Sequence, residues 1–205
     1  MRYKLPKLGI KIKRKIILAS ASPRRAKLFR QLGLKFIVSP PMIKERRVLK
    51  HGPAELVKAN AFKKAEEVAK RFKEGIIVGA DTVVFVKGKI IGKPNDYQEA
   101  KKFLRLFSRY PHWVYSGIAI IDVEKNTFYI DYEKTKVIFR KLNEKDIEDY
   151  LSDSVSLDRA GGIDIEERAR KLVKEIDGDF YNIVGLPVKR FVSLIRKIDK
   201  RFQKI

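Results

Sequence analysis

The stretch GIIVGADTVVFVKGKII, residues 75–91, decides the reading of the fold. Its first twelve residues form a near-continuous apolar run rich in valine and isoleucine, the pattern of a strand buried on both faces. Lys87-Gly88-Lys89 then supplies a turn, and Ile90-Ile91 a short return strand before Gly92-Lys93-Pro94. A central strand leading into a hairpin is the expectation. Asp81, with the small residues Gly79 and Ala80 before it, is read as standing at the end of an apolar strand. Strand ends are where α/β sheets place ligands, so a carboxylate there is a candidate to hold a divalent cation or to take a proton from water; the competing reading is a turn or cap residue.

Outward from this strand, helices and strands alternate. KIILAS is a short buried strand, after which Ser22 and Pro23 mark the cap and first turn of a helix that Gly33 can end. KFIVSPP is a second strand broken by prolines. From about Pro53 to Phe72 the apolar spacing predicts a long amphipathic helix. Asp96 with Glu99 has capping-box spacing for another helix. HWVYSGIAIIDVEKNTFYIDYEKTKVIFR predicts two long antiparallel strands turning near Glu124–Asn126. Asn143 caps a further helix, LVKEIDGDFYNIVG mixes strand and turn signals, and LPVKRFVSLIRKI closes as a helix. The pattern is α/β in class, a mixed sheet with helices packed on it, organised as a basic arm over residues 1–14 and one domain over 15–205.

The bulk composition narrows the classes. The 205 residues, 44% of them apolar, suffice for a buried core. The lack of cysteine removes disulfides, thiolate metal sites and cysteine nucleophiles, and suits a reducing cytoplasm. A formal charge of +22 favours polyanionic partners: a nucleic acid, an acidic surface or a triphosphate. No apolar run approaches the roughly 20 residues that span a bilayer, so a soluble, unprocessed protein is expected. GxxxxGK[ST], GxGxxG and HExxH motifs are missing, and two histidines, His51 and His112, cannot build a multi-histidine site. His112 reads as a packing or edge residue.

A second feature stands out in ASASPRRAKLFRQLG, residues 19–33. Arg24 and Arg25 occupy the first turn of the predicted helix, where cations oppose the helix dipole by about 0.3–1 kcal/mol each. A phosphate would satisfy the free amides and both guanidiniums, with Ser20 and Ser22 fit for capping and phosphate contact. The alternative is that both arginines point into water. Lys93 is a further candidate phosphate contact, or a solvated loop residue.

These motifs carry a resemblance. ASASPRRAKLFRQLG, VGADTVVFVKGKIIGKPNDYQEAKKFL, HWVYSGIAI, LDRAGG and GDFYNIVGLPV follow the order and approximate spacing of the Maf family of nucleoside triphosphate pyrophosphatases, from Lys15 onward. The resemblance implies an inosine-triphosphatase-like fold, with a long twisted mixed sheet, two lobes around a cleft and often a homodimer. It implies hydrolysis of a nucleoside triphosphate to the monophosphate and pyrophosphate with a divalent metal, Mg²⁺ or Mn²⁺. The matching positions are Ser20, Arg24, Arg25, Lys64 and Lys93 for phosphate, Glu45 and Asp81 for metal, and Asp81 as the catalytic acidic residue. Arg24 and Thr82 match members that prefer dTTP and UTP. Those members commonly carry a glutamine in a GIQG-like segment, whereas an ungapped match of AGGIDIEERARKL puts Glu166 there, an acidic residue as in members acting on 7-methyl-GTP, which lack the arginine and threonine; the competing reading of Glu166 is a solvated helix residue in a remodelled loop. A glutamine both donates and accepts, an ionised glutamate only accepts. Housecleaning of pyrimidine or modified nucleotides is the implied role. A 7-methyl-GTP-type or broad specificity is the alternative, with a basic nucleic-acid-binding module on the same fold the rival from another class.

Overall fold

The structure is a computed structural model; of the 205 residues it describes Leu5, 14–45, 51–152, 160–166 and 168–198. Most of the basic arm, and Leu157–Arg159 of the LDRAGG motif, lie outside the described residues. In chain order the elements are β1 (Ile16–Ala19), α1 (Pro23–Gln31), β2 (Ile37–Val38), α2 (Gly52–Ala69), β3 (Ile76–Val86), β4 (Lys89–Ile91), α3 (Tyr97–Arg109), β5 (His112–Asp122), β6 (Thr127–Phe139), α4 (Glu144–Ser152), β7 (Val173–Asp177), α5 (Phe180–Val184) and α6 (Val188–Ile198). The strands form one seven-stranded sheet of order β2-β1-β3-β5-β6-β7, with β4 added to β3. It is mixed: β1 runs parallel to β2 and β3, whereas β3–β4 and β6–β7 are antiparallel. The expected α/β class with a mixed sheet is what is found.

Local chemistry explains most boundaries. Ser22 caps α1 by accepting the Arg25 N–H at 3.5 Å, Pro23 fills the first turn, and Gly33 ends the helix at φ +75° with its N–H on Arg30 O. Asp96 accepts the Glu99 N–H at 2.7 Å, while the Glu99 carboxylate reaches back to Asn95 N rather than to the cap itself. Asn143 and Asp146 exchange reciprocal side-chain to backbone bonds at the start of α4.

Four readings of the sequence change. Asp81 does not close a strand: it sits in the middle of the eleven-residue β3, because buried donors satisfy its carboxylate and the ladder continues into Thr82 and beyond. The segment KFIVSPP yields only the two residues of β2, both about half exposed, since Pro40 and Pro41 cannot extend the ladder. FYNIV, mixed in signal, is the short helix α5. The long helix is α2, ending at Ala69 rather than Phe72, with Arg71 and Phe72 continuing as tight turns onto Val68 O and Ala69 O.

The chain divides into two compact units, Met1–Asp81 with Ser116–Glu133 and Gly185–Ile205, and Thr82–Tyr115 with Lys134–Val184. In the first, Ile17, Ala19, Ile77 and Ala119 of the strands meet Ala61, Ala65 and Val68 of α2. Small residues let the helix backbone lie directly on the sheet. A Cβ on Gly79 would stand 2.3 Å from Ala61 O, and one on Gly117 2.2 Å from Val57 O. Elsewhere in this unit Phe29 of α1 packs on Phe191 of α6 with ring centroids 5.3 Å apart. The second unit has a core of larger residues, including Leu104, Phe107, Val137, Phe139, Ile147 and Leu151.

Candidate functional site

The close seat of α2 on β3 brings polar side chains onto Asp81, which is itself 4% exposed. Asn60 and Lys64 lie one helical turn apart and therefore on one face of α2. Both are buried, and both reach the same carboxylate: Lys64 Nζ donates to Asp81 Oδ1 at 2.7 Å and Asn60 Nδ2 to Oδ2 at 2.9 Å. Lys64 also pairs with Glu45 Oε1 at 2.6 Å, Glu45 standing in the loop after β2 with its side chain half exposed. One ammonium thus bridges two carboxylates. Burying Asp81 alone would be costly, and the pairing with hydrogen bonds on both oxygens is what allows it.

The SPRR turn belongs to the same unit. Ser20 Oγ accepts from Ser22 N and from an Nη of Arg25, both at 3.1 Å. With both lone pairs engaged, the hydroxyl's remaining capacity is as a donor, which suits an anion. Arg25 Nε donates to Gly185 O at 2.8 Å, so this arginine braces the turn against the segment that leads into α6. Burial pulls its guanidinium below the usual arginine range; the fields of Asp81 and Glu45 oppose that, and neighbouring Arg24 adds to it. The group remains a cation at any ordinary pH. Arg24 itself is half-buried in the first turn of α1. No acidic residue offsets the two arginines in that turn.

The remaining expected positions fall in the second unit. Thr82, half-buried, follows Asp81 on β3. Lys93 is exposed in the GKP turn after β4, and Glu166 is half-buried. Here two motifs meet: Gly161 N of AGG donates to Gly92 O of GKP at 2.7 Å. Tyr150 of α4 fixes the segment that follows, its hydroxyl donating to Gly162 O at 3.0 Å and accepting Asp164 N at 2.7 Å. His112 is a packing residue, as expected, stacked 4.3 Å from the Phe107 ring. Burial holds its pKa down at about 4, and its Nδ1 has no hydrogen-bond partner among the described residues.

Glu45 and Asp81 are the pair that could hold a metal. Their oxygens converge on a single cation, at 2.6 and 2.7 Å from Lys64 Nζ. Two hard carboxylates fit Mg²⁺ or Mn²⁺ when waters and substrate phosphates complete the shell. Among the described residues there is no group of three or more His, Cys, Asp or Glu able to hold a metal alone. Asn60 was missed by the sequence reading. The signal was present, as a second polar residue four positions before Lys64 on an otherwise apolar stripe.

Fold and site together define a mixed α/β protein with a buried carboxylate held by a lysine and an amide beside an arginine-bearing helix turn. Sequence comparison makes this specific: residues 15–198 match the description of the Maf-like protein family, and the chain belongs to that family. It is 40% identical to a dTTP/UTP pyrophosphatase of Dictyoglomus thermophilum, over 91% of this chain and 97% of that protein. A dTTP/UTP pyrophosphatase of Bacillus cytotoxicus is 39% identical over 91% of this chain and 96% of its own. The solved structure of the Staphylococcus aureus Ham1 protein covers 62% of this chain and 72% of its own, at 14% identity and a TM-score of 0.45, too slight a likeness to add to the topology above. No helix among the described residues is long and apolar enough to cross a membrane.

Proposed function

We propose that the chain is a nucleoside triphosphate pyrophosphatase that hydrolyses dTTP or UTP to the monophosphate and pyrophosphate. The observation that carries this is near full-length similarity, 40% identity over 91% of the chain, to a protein named for that activity. The buried Asp81–Lys64 pair supports it. In this reading water attacks the α-phosphorus, the bond from that phosphorus to the α,β-bridging oxygen breaks, and pyrophosphate leaves with that oxygen. Asp81 accepts a proton of the attacking water. Negative charge grows on phosphoryl oxygens, which cations stabilise: Lys64, Arg25 and Arg24 of the first unit, with Lys93 the further phosphate contact that the family pattern implies. The Ser20 hydroxyl donates to a phosphate oxygen. A divalent metal on Glu45 and Asp81, when bound, adds charge neutralisation on the phosphates.

Base choice is assigned to Arg24, Thr82 and Glu166. Glu166 favours a second reading, a 7-methyl-GTP-type specificity, because an acidic residue stands where pyrimidine-acting members carry glutamine. Nucleotide-pool housecleaning in the cytoplasm, by a homodimer, completes the proposal. Purified protein with Mg²⁺, incubated with a panel of canonical and modified nucleoside triphosphates, tests it. Pyrophosphate release fastest from dTTP and UTP is expected; 7-methyl-GTP leading the panel moves the assignment to the second reading. Release from no triphosphate at all removes both.

A further inference from the structure

We propose that Asn60 is a positioning residue, holding the Asp81 carboxylate in the orientation from which it takes the proton of the attacking water; this rests on the pyrophosphatase reading above. The terminal torsion of an aspartate is soft, with a broad, roughly two-fold profile. A single donor on Oδ1, the Lys64 ammonium at 2.7 Å, leaves the carboxylate plane able to swing about that contact. The Asn60 Nδ2–H on Oδ2 at 2.9 Å pins the second oxygen and so fixes the plane. Both donors come from one helix, four residues apart, and their spacing is set by backbone rather than by flexible surface groups.

The seat of that helix is equally fixed. Gly79, two residues before Asp81, permits α2 to approach so closely that a methyl group there would stand 2.3 Å from Ala61 O and 2.8 Å from Ala65 N. Those two atoms belong to the residues that directly follow Asn60 and Lys64. The neutral amide contributes direction without charge. The charges around Asp81 come instead from Lys64 and Arg25 as cations and Glu45 as an anion. An ionised carboxylate offers about four acceptor sites, so these two bonds leave others to face a water molecule.

The test uses two variants of the full chain, N60L and N60S. Leucine keeps the branched shape and the number of heavy atoms, is larger by its methyl groups, and removes the donor; serine keeps a hydroxyl and leaves room for a bridging water. Folding is checked by thermal melting of both. For N60L, kcat is expected to fall about tenfold or more with KM within about twofold, since displacement of a reacting group by about 1 Å costs up to a hundredfold. N60S is expected to lie between N60L and wild type. A crystal structure of N60L is expected to show the Asp81 carboxylate turned from its wild-type plane. A kcat for N60L within twofold of wild type, or an unmoved carboxylate, overturns the proposal. Should leucine prevent folding, N60S decides, and a wild-type kcat in it overturns the proposal. The two readings fail separately: wild-type protein that releases no pyrophosphate removes the activity, while the carboxylate plane in N60L still answers for Asn60.

Discussion

The two units are packed on different terms. Around α2 the first unit uses alanine and glycine, and backbone lies on backbone: Ala61 and Ala65 against Ala19, Ala119 and Gly79. The second unit fills its core with Leu104, Phe107, Val137, Phe139 and Leu151. Interlocked backbones leave little slack, whereas large side chains can adjust their rotamers to absorb a change. The first unit, accordingly, is where a carboxylate, an ammonium and an amide are held to within a hydrogen bond of one another. The second unit buries a histidine among aromatic rings and leaves one of its ring nitrogens without a partner among the described residues.

The largest effect should come from the chemistry of the first unit. Asp81→Asn removes the proposed base while keeping the shape, so turnover should fall about 10³-fold or more, within the range that general-base groups contribute. Pyrophosphate release on dTTP measures it, and a melting curve matching wild type separates chemistry from folding. A near-wild-type rate would take Asp81 out of the mechanism.

Next is the packing contrast itself. Gly79→Ala places a methyl group 2.3 Å from a backbone oxygen that has nowhere to go, and should cost about 3 kcal/mol or prevent folding. In the second unit, Gly162→Ala meets nothing closer than Pro94 Cγ at 3.4 Å and bears mainly the strain of φ +69°, about 1 kcal/mol. Denaturant unfolding of both variants compares the two. Equal losses would mean that the first unit is no tighter than the second.

These differences also mark how far the sequence could be read. Caps are local, so Ser22-Pro23, Asp96 with Glu99 and Asn143 were legible as helix starts, and the apolar run of β3 was legible as a central strand. Asp81 was legible as a functional candidate but misplaced on its strand, because a charged residue in an apolar run looks like an ending until its buried partners are known. Asn60 showed in the sequence only as a polar residue on the apolar stripe of α2, since its meaning depends on which face of α2 meets β3 and on how close glycine lets them come. Arg25 was read with Arg24 as a phosphate ligand, yet its bond to Gly185 O joins positions 160 residues apart, which no local pattern announces. The short β2 was overestimated because its hydrophobic residues suggest burial, while the two prolines after it limit pairing.

The second unit's weak point is His112, and acid should expose it. Its folded pKa is held down at about 4 by burial against an ordinary value of 6.5. The unfolded chain therefore takes up a proton first, so stability is full above pH 6.5 and is lost as pH falls toward 4. Between pH 7.5 and pH 4.5 this one group should account for about 2–3 kcal/mol of lost stability. His112→Phe, which keeps an aromatic ring beside Phe107, should show a pH dependence smaller by that amount. An unchanged pH dependence in the variant would mean that acid loss arises elsewhere.

The smallest effect expected is at Glu166, where no change of packing is involved and only selectivity should move. Uracil and thymine present both a donor and acceptors along their pairing edge. A glutamine amide can answer both, while an ionised glutamate can only accept. Glu166→Gln should therefore raise kcat/KM for UTP and dTTP relative to 7-methyl-GTP by about three- to tenfold, the worth of roughly one neutral hydrogen bond. Its melting temperature should match wild type, because a half-buried surface position of this kind seldom moves stability by more than about 0.5 kcal/mol. An unchanged ratio across the nucleotide panel would instead make Glu166 a solvent-facing residue of the segment after Tyr150's anchor. Base choice would then rest on Arg24 and Thr82, one on a helix of the tightly packed unit and the other on the strand that carries Asp81.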